Sequence, residues 1–421
     1  MSGFASRREF LKTIAKGAAI GMAAPHVLSS SALGGEAHPP SDRIRLGFIG
    51  INWMGGDHLT DMVGNQALRG AQVVAVCDCD EHHLAKAKSK VGANCKAYKD
   101  FRDLLDDQDV EAVLVAVPDH WHAIISIKAA EAGKDIYCEK PMSLTIREAR
   151  AMVRAVRRYG RVFQTGSQQR TENCFRYGCE LVRNGRLGKI LTVHAAVGGP
   201  SGPCHLPAEP TPPYLDWNMW LGPAPVRPFN KGIHPVQWRS FMDYSGGGMT
   251  DWGAHHFDIA QWGLGMDNSG PVEVHPPDGK DYKSLTYTYA NGITLIHGGT
   301  GGVVLTGTEG KLHLDRGVIE SWPPDICRTP IGPADVHLYR APQHGNPWTA
   351  NKLDWLDCIR TRRRPCSDVE IGCRSITVCH LGNIAYWLNR PLRWDPEKEE
   401  IIGDAEAARW LDRPKRAPWT L

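Results

Sequence analysis

A short apolar strand that runs into a glycine turn, then a helix, then a second strand ending on an acid leaves a chain few folds to choose from. Residues 43–50 read Arg-Ile-Arg-Leu-Gly-Phe-Ile-Gly and enter the turn Gly50-Ile51-Asn52-Trp53-Met54-Gly55. A helical pattern follows, and Ala71 to Val76 is a second strand that ends at Cys77-Asp78. This order is the βαβ unit of a doubly wound sheet whose glycine turn cradles the pyrophosphate of a dinucleotide. Asn52 stands where the second glycine of G-x-G-x-x-G is usual, and the turn is expected to survive because Asn tolerates positive φ. Gly50, Asn52, Trp53, Met54 and Gly55 are therefore candidate cofactor contacts. Asp78 can accept hydrogen bonds from both ribose hydroxyls and would repel a 2′-phosphate, so NAD is favoured over NADP. Asp80 is the back-up, and capping of the helix from Glu81 is the structural alternative for Asp78.

The pattern repeats. Val110 to Val117 is a continuous apolar run typical of a buried parallel strand. It ends at Pro118-Asp119-His120-Trp121-His122, and ligands in such sheets sit beyond the carboxyl ends of strands. Pro118, Asp119 and His122 are thus expected at the cofactor crevice, by nucleotide contact or packing rather than as metal ligands. A helix from Ala123 to Ala132 and a strand from Asp135 to Cys138 lead to Glu139-Lys140-Pro141, which the same rule places at the crevice.

Farther on, Gly246-Gly247-Gly248-Met249-Thr250-Asp251-Trp252-Gly253-Ala254-His255 supplies a carboxylate and an imidazole. Oxidising a secondary alcohol needs a base for the hydroxyl proton while hydride leaves carbon, and histidine suits that near neutrality. Asp251 and His255 are four positions apart and share a face if helical, so the carboxylate can orient the imidazole or bind a substrate hydroxyl. Lys140 can stabilise developing alkoxide charge. The glycine run suggests backbone kept clear for a ligand. His256 points about 100° away on a helix, and Asp258 is assigned to support of the helix or pocket. Capping plus a core histidine is the structural alternative.

With the E-K-P segment and the G-G-G-M-x-D-x-G-x-H segment in this order behind a Rossmann unit, the chain resembles the Gfo/Idh/MocA family of oxidoreductases over residues 43–395. The resemblance implies a Rossmann domain followed by a domain with a large, mostly antiparallel open sheet, helices on one face and often an oligomer interface on the other. A homodimer or homotetramer is expected. It implies that Lys140, Asp251 and His255 are catalytic, with Lys140 touching the reacting hydroxyl and the nicotinamide ribose, and that Glu139 and Pro141 shape the cofactor pocket. Gly166-Ser167-Gln168-Gln169-Arg170 matches the strand that enters the second domain. Gln168 is then a nicotinamide contact, and Arg170, Trp238, Arg239 and His256 are substrate contacts.

The remaining sequence supplies the second sheet. Thr192–Val197, Leu285–Tyr289, Ile293–His297, Gly302–Gly307 and Lys311–Leu314 read as strands separated by Gly, Asn and Asp turns. Gly198–Pro228 is a Pro/Gly-rich ordered loop near the pocket. Ala350–Arg360 and Glu370–Leu388 are helical, and Arg362-Arg363-Arg364 is a solvated helix end. The organisation is then an N-terminal leader over 1–33, a linker over 34–42, a Rossmann domain over 43–160, the second domain over 161–395 and a C-terminal extension over 396–421.

The leader decides the compartment. Ser6-Arg7-Arg8-Glu9-Phe10-Leu11-Lys12 precedes a short apolar stretch and small residues at Ser29 to Ala32. It resembles a twin-arginine export signal, too short and Gly/Ala-rich for a stable membrane span. Export to the periplasm through the twin-arginine machinery is expected. Arg7, Arg8, Lys12 and Lys16 against Glu9 account for the whole formal charge of +3, so the rest is near neutral and has no nucleic-acid footprint. Twelve scattered cysteines with no C-x-x-C read as buried thiols of a protein folded before export, and no metal site is expected. The envelope has no evident pool of free NAD, so the nucleotide should be held tightly and the hydride returned in one cycle. The expected function is hydride transfer between that NAD and a secondary hydroxyl of a sugar, polyol or glycoside. Two alternatives stand beside it. One is glycoside cleavage, elimination or epimerisation through transient oxidation of a sugar carbon. The other is a non-catalytic Rossmann-type binding protein.

Overall fold

In the computed structural model, which describes residues 39–421 apart from Gln343, two sheets are arranged in series. The leader and residues 34–38 of the linker lie outside the described residues; Pro40–Asp42 is a single 3-10 turn that delivers the chain to the first strand.

The strands β1 (Ile44–Ile49), β2 (Ala71–Cys77), β3 (Lys96–Tyr98), β4 (Ala112–Val115), β5 (Asp135–Cys138) and β6 (Phe163–Thr165) form one parallel sheet in the order β3-β2-β1-β4-β5-β6. Every residue of β4 and β5 is buried. Helices cover both faces of a parallel sheet, which is why these strands read as unbroken apolar runs. Strand order reverses between β1 and β4, and the carboxyl ends of those two strands open the crevice. β6 pairs with β5, so the parallel sheet runs to Thr165 and the expected boundary at residue 160 falls one strand short.

The second sheet comprises β7 (Ile190–Ala195), β8 (Glu273–His275), β9 (Thr286–Thr288), β10 (Thr294–His297), β11 (Val303–Gly307), β12 (Lys311–Asp315), β13 (Val318–Trp322), β14 (Leu392–Asp395) and β15 (Glu400–Ile401). Its order is β13-β12-β11-β7-β10-β9-β8-β14-β15, and all pairs are antiparallel except β7 with β10. Val193, Val303, Leu305, Leu312 and Leu314 alternate inward. The helices Asn173–Arg183, Gly253–Leu264 and Val369–Leu388 cover that face. The turns at Gly292 (φ 84°) and Gly307–Gly310 close the expected hairpins. Strands β8, β13, β14 and β15 are additions, too short or too mixed in polarity to stand out in the sequence.

Two C-terminal pieces return to the first sheet. The helix Pro347–Thr361 buries Trp355, Leu356 and Cys358 in one cluster with Leu46, Phe48, Val73 and Leu114. Arg362 pairs with Asp135 at 2.7 Å, so the basic run ends in a specific ion pair at its first residue. The segment after 395 is no loose extension. Ile401 pairs with Trp394 across β14 and β15, and Trp419 meets Trp121 edge-on at 4.7 Å. The Pro/Gly-rich loop holds a small core of its own, with Trp217 stacked on Trp220 at 4.6 Å beside Phe229, Trp238 and Tyr244. It is tied to the end of β2 by the Glu81 amide donating to Tyr214 O (2.9 Å) and the Asp216 amide to Cys79 O (3.0 Å). All twelve cysteines are free, and eight are buried thiols, at positions 77, 95, 138, 179, 358, 366, 373 and 379.

Candidate active site

Two adjoining cavities lie beyond the carboxyl ends of the parallel strands. The first, about 840 Å³, is lined by the glycine turn, Asp78, Val117, Pro118, Trp121 and residues of the tryptophan-rich loop. The second, about 910 Å³, is lined by Asp119, Glu139, Lys140, Gln168, Asp251, Trp252, His255, Arg316 and Trp348. Trp53, Met54, Ala116, Val117, Trp238 and Arg239 line both. One elongated ligand can therefore run from the first into the second.

At the first cavity the glycine turn is shaped by close backbone packing. Gly50 has φ +80°, and a Cβ there would lie 2.5 Å from Ala116 O. A Cβ on Gly55 would lie 2.1 Å from Gly50 O, so Gly55 serves close packing and lines neither cavity. Asn52 departs from expectation: its φ is −92°, in extended backbone, and Trp53 takes the positive φ of 39°. The turn survives the missing glycine because the left-handed step is made at Gly50 and Trp53. Asn52 makes no side-chain cap on the helix Trp53–Gly64, which leaves the helix N-terminus facing the crevice, where its free amides and dipole favour an anion. Asp78 accepts from the Ile51 amide and the Asp80 amide, both at 3.0 Å. Those bonds fix the carboxylate at the mouth. Asp80 is the helix cap, accepting from the amides of His82 and His83. Dinucleotide pyrophosphate at the turn and ribose at Asp78 fit this set.

The second cavity is shaped by side chains. Lys140 Nζ donates to Asp251 Oδ1 at 2.6 Å and to Asp251 O at 3.3 Å. Arg239 Nε lies 3.9 Å from the same Oδ1, and its guanidinium stacks over Trp53 (4.5 Å) and Trp238 (4.1 Å). Burial pushes the Asp251 carboxyl up, but Lys140 and Arg239 outweigh it and hold the group below its ordinary value. Burial drives His255 well below 6.5, and the charges of Lys140 and Arg316 push the same way. The imidazole is neutral at physiological pH. Its Nδ1 is buried without a hydrogen-bond partner, which leaves Nε2 as the nitrogen the cavity can reach. Asp251 holds Lys140 rather than His255. The reason is a break at Trp252 between the short helix Gly248–Asp251 and the helix Gly253–Leu264.

Behind Lys140 runs a buried relay. Glu139 Oε1 meets His58 Nε2 at 2.8 Å, and His58 Nδ1 meets Lys352 Nζ at 2.8 Å. Lys352 pairs with Asp61 at 3.0 Å. An ionised Glu139 and a donating Lys352 require the tautomer of His58 with its proton on Nε2. Glu139 Oε2 also accepts from the Lys140 amide at 3.2 Å. His58 and Lys352 were invisible as site residues in the sequence, since each sits in an unremarkable helical stretch.

Several expected contacts lie elsewhere. Arg170 is fully buried between Asp258 (2.8 Å) and Asp267 (2.7 Å) with its guanidinium over Trp262, and lines neither cavity. Two carboxylates compensate it within the second domain, so it is an internal structural cation. His256 Nδ1 meets Ala196 O at 2.7 Å, turned away on the helix face that packs on β7. His122 Nδ1 meets Pro141 O at 2.7 Å. The helix expected from Ala123 begins at Asp119, which buries His122 behind the Lys140–Pro141 peptide, a cis bond. His120 Nε2 meets Trp220 O at 3.0 Å. Asp119 remains at the cavity, accepting from Ser245 Oγ at 2.6 Å, and burial pushes its carboxyl up to about 7. The glycine run is not clearance for a ligand: a Cβ on Gly247 would lie 2.4 Å from Ser201 N, and one on Gly248 2.7 Å from Gly198 Cα. The glycines let two backbone segments pack together. Among the described residues no group of three or more His, Cys, Asp or Glu is arranged to hold a metal ion.

Comparison with known proteins gives the frame. Residues 44–167 match "Oxidoreductase family, NAD-binding Rossmann fold", and residues 180–421 match "Oxidoreductase family, C-terminal alpha/beta domain". The chain is 31% identical over 152 residues to inositol 2-dehydrogenase of Salmonella paratyphi B, a match covering 36% of this chain and 45% of that protein. It is 27% identical over 299 residues to inositol 2-dehydrogenase 2 of Saccharopolyspora erythraea, covering 68% and 75%. The first of these matches thus spans slightly under half of the relative's length. Aldose-aldose oxidoreductase from Caulobacter crescentus, solved with glycerol, shares the fold with a TM-score of 0.60 at 20% identity, over 83% of this chain and 99% of that one. With both of its halves matched in this order, the chain belongs to the Gfo/Idh/MocA family of oxidoreductases and carries that family's NAD-binding Rossmann domain.

Proposed function

We propose that this protein is an NAD-dependent oxidoreductase that moves hydride between the nicotinamide and a secondary hydroxyl of a sugar, polyol or glycoside. The observation that carries the reading is the placement of Lys140, Asp251 and a neutral His255 in one cavity continuous with the dinucleotide crevice. NAD, when bound, supplies the hydride acceptor. The Gly50–Met54 turn would hold its pyrophosphate and Asp78 its ribose, which favours NAD over NADP. The chain's own residues handle the proton. Lys140, oriented by Asp251, offers its remaining N–H groups to the substrate oxygen and stabilises negative charge there. His255 Nε2 takes the hydroxyl proton as the carbon loses hydride. The relatives named as inositol dehydrogenases support a polyhydroxylated substrate. The test is reduction of NAD by a panel of sugars and inositols. Turnover with any of them, lost in Lys140→Ala and His255→Ala, supports the reading; NAD bound with no hydride transfer to any member refutes it.

A second reading keeps the hydride within one cycle, so that oxidation only acidifies a neighbouring C–H before elimination or epimerisation. Asp119 favours it, as a second proton-exchanging group beside His255 in the same cavity. Deuterium from solvent would then enter substrate carbon without net NADH formation.

The reading includes twin-arginine export to the periplasm with NAD held tightly. It rests on Ser6-Arg7-Arg8-Glu9-Phe10-Leu11-Lys12 and on twelve free thiols, which suit folding in a reducing compartment. Arg7→Lys with Arg8→Lys should leave the protein in the cytoplasmic fraction; unchanged export would sink this part. A homodimer or homotetramer through the helix-free face of the second sheet is proposed on the family likeness, checked by light scattering.

A further inference from the structure

Three cations line the second cavity: Lys140, Arg239 and Arg316. Two of them converge on Asp251. Of the other carboxylates there, Glu139 is bonded to His58 and Asp119 to Ser245. Arg316 is different. It stands in the turn between β12 and β13, and its guanidinium lies 4.8 Å from the ring centre of Trp252 and 5.6 Å from that of Trp348. Among the described residues it has no ion-pair partner, and its one hydrogen bond is from its backbone amide to Asp315. Trp252 adjoins Asp251 in sequence, and Trp348 lies in the first turn of the helix that carries Lys352 back to the relay. The two indoles come from separate parts of the chain and hold one exposed cation, with no ion pair of its own though its charge reaches Asp251, at the wall that also carries His255.

Resting on the oxidoreductase reading of this cavity, we propose that the substrate is an acidic sugar whose carboxylate is bound by Arg316. A guanidinium flanked by indole faces is held by cation–π attraction and keeps its N–H edge free, and that edge matches the two oxygens of a carboxylate in plane. A neutral polyol would leave the guanidinium edge to solvent. A phosphate dianion calls for more donors than this single fork provides. Arg316 is outside the first cavity, so the phosphates of the nucleotide do not account for it. The substrate class is thus a hexuronate, or a glycoside ending in one, with the hydroxyl to be oxidised at Lys140 and His255.

The test is equilibrium binding to the full chain saturated with NAD. Glucuronate is compared with glucose and galacturonate with galactose, with glucose 6-phosphate as a third arm. At least one hexuronate should bind ~10- to 100-fold more tightly than its neutral partner, as one charge-assisted bidentate contact gives. The advantage should shrink with added salt and vanish in Arg316→Gln, which keeps its affinity for the neutral sugar. Arg316→Lys, which keeps the charge but not the fork, should retain part of it. Equal binding within both pairs, a preference that survives Arg316→Gln, or tighter binding of the 6-phosphate than of either hexuronate overturns the proposal. Failure of the oxidoreductase reading is seen separately, as absence of hydride transfer to any bound sugar whatever the binding order.

Discussion

The two cavities share a wall but are built in opposite ways. The dinucleotide crevice takes its glycine turn, the Trp53–Gly64 helix end and Asp78 from one βαβ unit, while Val117, Pro118, Trp121 and the tryptophan-rich loop close its walls. The cavity for chemistry is made of side chains from at least five separated segments, carrying Lys140, Gln168, Arg239, Asp251 with His255, and Arg316. Backbone geometry is short-range and tolerates a substituted residue, as Asn52 illustrates. A constellation of charges depends on distant contacts, and each charge needs its own counterpart: Asp251 for Lys140, His58 for Glu139, Asp258 and Asp267 for Arg170.

The largest effect expected from breaking this contrast lies just outside the second cavity. Arg170→Ala strands the buried carboxylate of Asp258 beside the partly exposed Asp267 and should lower stability by about 3–5 kcal/mol, read by denaturant titration, with the substrate KM of the remaining folded enzyme unchanged. A raised KM would return Arg170 to the substrate site. Inside the cavity, Lys140→Ala and His255→Ala should each slow turnover at least ~100-fold while nucleotide binding, measured by dialysis, stays within ~3-fold. Loss of binding in either would mean the two cavities are not separable. In the first cavity, Gly50→Ala should cost about 1–3 kcal/mol of backbone strain, seen as a lower melting temperature together with weakened NAD binding. Smaller still, Asp78→Asn should cut the preference for NAD over NADP by ~10-fold, since it removes one charge repulsion while its single amide oxygen keeps one of the two backbone contacts. An unchanged ratio would remove Asp78 as the discriminating group.

The smallest effect is a flat pH profile. An imidazole with the ordinary value would be half protonated at pH 6.5. His255 is held well below that, so its neutral form is already complete above 6.5, and protonation removes the base only as pH falls farther. Turnover between pH 8 and 6.5 should change less than ~2-fold from this group; Asp119, pushed up to about 7 in the same cavity, titrates in that range, so a limb that halves the rate near 6.5 and persists in Asp119→Asn would show that His255 is not the base.

How much of this was legible follows the same division. The strands β1, β2, β4 and β5 and the acid Asp78 could be read because each obeys a local pattern of apolar run, turn and acid. Lys140, Asp251 and His255 could be found because they sit in short distinctive segments. What stands around them could not. Periodicity alone did not reveal that Trp252 breaks the helix and turns Asp251 toward Lys140. Nothing near residue 352 in the sequence marks a lysine that reaches His58. Arg170 lay beside Gln168 in one promising segment, yet only Gln168 lines the cavity, because the 3-10 turn Gln168–Thr171 points successive side chains in different directions.

The sequence by itself determined the Rossmann unit, the order of the two domains and the residue types able to carry out hydride chemistry. These depend on hydrogen bonding and burial within a few tens of residues, where the periodicity of apolar side chains is a direct record of the force that orders them. Tertiary structure alone decided which charge neutralises which, that Asp80 caps a helix while Asp78 is held at the crevice mouth, and that Arg316 stands between two tryptophans without an ion pair among the described residues. Those outcomes are set by Coulomb and packing terms that fall off over a few ångströms of space, and the chain brings such neighbours together from positions hundreds of residues apart.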